Sequence, residues 1–145
     1  MAQGFKLLSS SDTTDAFVNV RIASQAYTIG DLVMVDYTAD AIDVVPATAA
    51  SKTTNIYAVA METVTSAATS LLVCLIKPTQ KWTADVTNTP STNDNFERMI
   101  LTDKSTVNNT HTDDTTVSAV FQQTGVVDAT NKRIVGRFLI GVVTA

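Results

Sequence analysis

Leu71–Ile76 reads LLVCLI, six consecutive apolar residues between Ser70 and Lys77. Such a run is far shorter than the roughly 20 residues that span a bilayer as a helix. Bounded by polar residues, it predicts a strand buried on both faces. Cys74, the only cysteine, stands in its middle, where a thiol behaves as a small hydrophobe and not as a nucleophile. A single cysteine also rules out an intramolecular disulfide.

The stretches around this run carry the same signal. In Phe17–Ile22 (FVNVRI) Val18, Val20 and Ile22 alternate with Asn19 and Arg21, the period-two mark of a strand with one buried face. Gly30-Asp31 supplies a turn before a strand over Leu32–Asp36. Residues Tyr37–Asp40 reverse the chain, and Ala41–Val45 returns until Pro46 stops it. Ile56–Met61 (IYAVAM) precedes LLVCLI, and between the two ETVTSAATS reads as a loop or a single helical turn. At the far end, VSAVFQQTGVV and RIVGRFLIGVV predict two strands joined by the turn Asp128–Lys132. Ile134, Phe138, Ile140 and Val142 share one face there and Arg137 takes the other. Gly136 and Gly141 inside that strand mark a bulge or a close packing contact.

Two segments differ in texture. Residues 1–15 are small and polar and read as an N-terminal arm whose order depends on docking, so that deleting residues 2–15 should leave the fold intact. Lys77–Thr116 is dense in Asn, Thr, Ser and Asp, broken by RMIL at Arg98–Leu101, a short strand; it reads as long ordered loops with some pairing. The sum is about eight short strands and little helix. The expected fold is all-β, a small single-domain sandwich or barrel over residues 16–145 with long ordered loops and the arm at 1–15. The 24 Thr and 18 Val residues agree, since both types are β-branched and suit a pleated, half-buried surface.

Charge and residue content narrow the function. The net charge is −4 and no basic cluster exceeds the pair Lys132-Arg133, which disfavours direct nucleic-acid binding. No span crosses a membrane on this reading. The opening MAQGFKLLSSSDTTD has one Lys and no apolar stretch, so synthesis in a cytoplasm is expected.

No catalytic pattern assembles. His111, the only histidine, is flanked by hydroxyls and amides in NNTHTDD and has no orienting carboxylate of the kind a triad needs. Asp94, Asp103, Asp113 and Asp114 are oxygen donors without the order or the central Gly of a calcium loop. The five glycines are too scattered for a phosphate cradle. With two Glu and a single tryptophan, a carbohydrate-cleaving site lacks both carboxylates and stacking platforms, and Trp82 reads instead as a plug over one end of the sheet. No enzyme activity and no cofactor are expected.

GDLVMVD at Gly30–Asp36, PATA, IYAVAMETVTSAATSLLVCLIKPTQKW, and RMILTDKSTVNNTHTDDTTVSAVFQQTG followed by RIVGRFL together resemble small capsid decoration, or cement, proteins of tailed bacteriophages. The likeness runs from about Gly30 to Leu139 and lies in style and order. It implies an all-β module on the outer surface of a virion head, clamping neighbouring copies of the major capsid protein. The module would be a homo-oligomer, a trimer in preference to a dimer. A tail-fibre or host-recognition domain is the alternative. The expected partner contacts are Phe5, Leu7, Leu8 and Asp12 in the arm, and Trp82, Phe96, Arg98, Asn108 and Asn109 in the polar excursion.

Overall fold

The computed structural model describes residues 3–10, 17–22, 25–36, 43–48, 56–110 and 119–139. Its strands are β1 (Lys6–Ser10), β2 (Phe17–Arg21), β3 (Leu32–Asp36), β4 (Asp43–Pro46), β5 (Ile56–Ala60), β6 (Ser70–Leu75), β7 (Gln80–Val86), β8 (Arg98–Leu101), β9 (Thr106–Asn108), β10 (Phe121–Asp128) and β11 (Arg133–Phe138). A 3-10 turn at Thr92–Asp94 precedes β8. The expected all-β class and small single domain are what the chain adopts.

Five strands close a barrel in the order β7-β11-β10-β8-β9, and the parallel pairing of β9 with β7 completes the ring. One edge of β7 is shared: β1 covers its N-terminal part, with Lys6 opposite Thr83, and β9 meets its end, with Thr106 opposite Asp85. A second sheet runs β2-β6-β5-β3-β4. Its β6 is the LLVCLI strand. Cys74 belongs to the core shared with the barrel and Val73 to a second cluster with Leu71 and Tyr27, so both faces are buried as expected. The native Cys74 thiol is therefore expected to resist alkylation until the chain unfolds. Labelling that is as fast in buffer as in denaturant would contradict this burial.

The main core joins the barrel's inward side chains to Leu32, Ile56, Val59 and Cys74 of the second sheet. Trp82 and Phe138 meet edge to face at 5.8 Å, Phe121 and Phe138 at 5.1 Å, and Phe5 lies 5.0 Å from Phe138. Edge-to-face and tilted contacts suit the ring quadrupoles, so this cluster combines large area burial with favourable geometry. A Cβ on Gly136 would stand 2.1 Å from the Gln122 carbonyl oxygen, which makes this glycine the close packing contact expected of it.

Three expectations are corrected. Residues 3–10 do not wait for an external partner: β1 pairs with β7, and Phe5 is buried in the core at 3% exposure. Residues 1–2 and 11–16, Asp12 among them, lie outside the described residues, as do residues 37–42, Ile140 and Val142. The excursion from Lys77 is not mainly loop, because its first part is β7, a strand of the barrel wall. In QKWTADV, Trp82, Ala84 and Val86 face inward and are buried, an alternation that the surrounding polar residues obscured. Trp82, expected among the partner contacts, is accordingly fully buried and packs edge to face on Phe138.

The N-terminal segment is locked where it crosses the β3 entry turn. Phe5 N–H donates to the Gly30 carbonyl at 2.9 Å. Gly4 and Gly30 have φ of 66° and 93°, and a Cβ on either would come within 2.6 Å of the other segment's backbone. Only glycine combines that backbone conformation with so close an approach. The Gly30 turn is held by Asp31, whose Oδ2 accepts from Thr28 N–H at 2.9 Å and pairs with Lys104 Nζ at 3.2 Å, tying the second sheet to the barrel.

Candidate protein interface

Each expected contact residue now has a place. Phe5 and Trp82 are core residues with no surface to offer. Leu7 stands opposite Trp82 and packs on the core. Asn109 is also structural: its Oδ1 accepts from Asn88 N–H at 2.8 Å and its Nδ2 donates to the Asn88 carbonyl at 2.9 Å, a side chain substituting for a ladder pair. Asn108 Oδ1 accepts from Thr110 N–H at 3.0 Å and shapes the turn after β9. Leu8 and Phe96 are exposed at 58% and 72%, and Arg98 is half-buried. Leu8 stands on β1 beside the barrel, Phe96 in the loop before β8, and Arg98 on the outer face of β8.

Phe96 has the least ordinary geometry. Its φ is 72°, a left-handed conformation that is a genuine outlier for a bulky residue and costs about 1–3 kcal/mol. The scaffold holds it there from both sides. Phe96 N–H donates to the Gln123 carbonyl at 2.7 Å, and Gln122 Nε2 donates to the Phe96 carbonyl at 2.9 Å. Behind it, the buried Gln123 Nε2 donates to the Ser91 carbonyl at 2.8 Å and to Asn95 Oδ1 at 2.9 Å, fixing the preceding loop against β10. A large apolar ring thus stands in solvent on a backbone that resists collapse.

Strand register places charge beside that ring. Gln122 is opposite Arg98 on β8 and opposite Arg137 on β11, so the three side chains share one face. Arg137 Nε donates to Gln122 Oε1 at 3.0 Å, which links Arg137, Gln122 and Phe96 in one hydrogen-bonded series. Lys81 continues the row, since the inward Trp82 beside it opposes Gly136, the neighbour of Arg137. Lys81, Arg137 and Leu8 line a groove of about 500 Å³ whose floor includes Val135. Sequence reasoning passed over Lys81 and Gln122 and noted only the direction of Arg137; their common row depends on pairings between distant segments.

Elsewhere charge is consumed internally. Arg133 Nη1 bonds Asp85 Oδ1 at 2.7 Å and the Gly4 carbonyl at 3.0 Å, and its Nη2 reaches Thr83 Oγ1. Asp85 Oδ2 accepts from Gln3 and Gly4 N–H at 2.7 and 2.8 Å. In the β10–β11 turn, the side chain and then the backbone of Asn131 hydrogen-bond Asp128 and hold its carboxyl below the usual value. Among the described residues no group of three or more His, Cys, Asp or Glu side chains could hold a metal ion. Asp103 is engaged in its own turn, accepting from Ser105 N–H at 2.8 Å. His111, Asp113 and Asp114 lie outside the described residues.

Fold and surface together define an all-β module with a closed barrel and an exposed aromatic residue in the loop that enters β8. The chain matches no protein-family model, no curated protein and no solved structure.

Proposed function

We propose that this chain is a non-enzymatic structural protein of a viral particle, decorating and stabilising the outer surface of a phage head by clamping major capsid protein subunits. The observation that carries the reading is Phe96. A ring 72% exposed on a strained backbone runs against both hydrophobic burial and backbone preference, as an anchor for a protein partner would. The sequence resemblance supplies the kind of partner, and the rigid barrel supplies the platform from which a shell could be bridged. Bridging several subunits by a homo-oligomer multiplies modest contacts into firm attachment.

The test is co-sedimentation of the purified protein with mature phage heads that lack it and with empty immature shells, alongside the native mass of the free protein. Saturable binding at fixed stoichiometry, with greater heat resistance of the heads, is the expected result. No binding to either shell would overturn the proposal and favour a tail or host-recognition role, to be examined on host cells.

A further inference from the structure

We infer that the row Lys81–Arg137–Gln122–Arg98, together with Phe96, is a docking surface for a protein partner whose contact face carries carboxylates around an apolar socket. This rests on the decoration reading for the partner's identity, but its chemistry follows from the surface alone. The chain has 14 acidic and 10 basic residues, so a row bearing three cations and no carboxylate runs against its overall charge. Among the described residues the side chains of Lys81 and Arg98 have no hydrogen-bond or ion-pair partner, and the Arg137 side chain uses only its Nε, on Gln122. The groove beside them has nine lining residues, none a carboxylate. Unused guanidinium edges are suited to bidentate carboxylate recognition, and Arg with aromatic residues is the usual composition of interface anchors.

Gln122 makes the surface a unit. Its amide oxygen orients Arg137 and its amide nitrogen holds the Phe96 carbonyl, so the backbone that carries the ring is tied to the Arg137 guanidinium before any partner arrives. Such preorganisation reduces the ordering cost of association. A nucleic-acid partner fits less well, because the net negative charge of the chain opposes a polyanion over any length beyond this one row.

Two variants test the surface: Phe96→Asn, and the triple change Lys81→Gln, Arg98→Gln, Arg137→Gln. Asn tolerates the left-handed backbone, so Phe96→Asn should fold with unchanged or raised melting temperature and yet bind phage heads about 30-fold more weakly. The triple variant should bind about tenfold more weakly, and wild-type binding should weaken with added salt while that of the variant changes less. If the wild type binds heads and both variants bind equally well, the docking surface is refuted while the decoration role stands. If the wild type binds no heads, the decoration role fails by itself. The surface is then read with labelled poly-L-glutamate and duplex DNA at low ionic strength. Salt-sensitive binding of the polyglutamate that the triple variant loses would support it; no such binding, or preference for the DNA, would overturn it.

Discussion

Removing residues 1–10 is expected to destabilise the protein by at least about 4 kcal/mol, a large part of the 5–15 kcal/mol typical of a domain. The effect begins with Phe5, which lies between Phe121 and Phe138 at centroid distances of 5.8 and 5.0 Å. Its loss leaves a ring-sized void in a core that cannot collapse, because the surrounding strands are hydrogen-bonded into a closed wall. Loss of β1 also frees the N-terminal part of the β7 edge and exposes Leu7's packing site on the core. An unpaired edge of this kind is a template for association, so the truncated chain should also aggregate more readily. Urea unfolding of the truncated protein and of Phe5→Ala measures both contributions, with the point variant expected to lose about 3–5 kcal/mol. A truncated chain with the same urea midpoint as the intact protein would mean that β1 adds nothing to the fold.

Asp85→Ala should cost about 3–5 kcal/mol, since it leaves the buried Arg133 guanidinium without its counter-charge. Solvent screening offers little relief, because the side chains of Arg133 and Asp85 are only 6% and 11% exposed. Replacing both partners by apolar residues is often neutral for a buried pair, but here it should not be. Asp85 also accepts the backbone N–H groups of Gln3 and Gly4, and the double variant Asp85→Ala/Arg133→Met would still strand those donors. The expected order of stability is therefore wild type, then the double variant, then Asp85→Ala, as read by denaturant titration. A double variant as stable as the wild type would show that the clamp on the N-terminal segment contributes nothing.

These two expectations reverse the reading of residues 1–15 as a free arm. KLLSS has neither long periodicity nor turn punctuation to announce a strand, and its partner lies far along the chain in QKWTADV. Nothing local distinguishes a segment that pairs with its own chain from one that waits for another. Pro46 illustrates the opposite case: placed at the end of β4, it stops the strand as its missing N–H requires, and an edge position tolerates it. RMIL at Arg98–Leu101 was likewise legible, because three consecutive apolar residues between polar loops mark a short strand, of which Met99 and Leu101 turn inward.

Of the proposed docking surface and its margin, the sequence singled out Leu8, Phe96 and Arg98 by residue type. It also named Phe5, Trp82 and Asn109, which the fold uses internally. Composition and alternation by themselves determined the all-β class, the buried setting of Cys74 and the strands on either side of it, because each follows from whether neighbouring residues prefer water or a pleated core. Tertiary structure alone decided that β9 closes a barrel on β7, that residues 3–10 pack against the barrel with β1 on the β7 edge, and that Lys81, Arg137, Gln122 and Arg98 form one row. Strand register is a long-range property: pairing sets which side chains become neighbours, and no local preference of the chain encodes it.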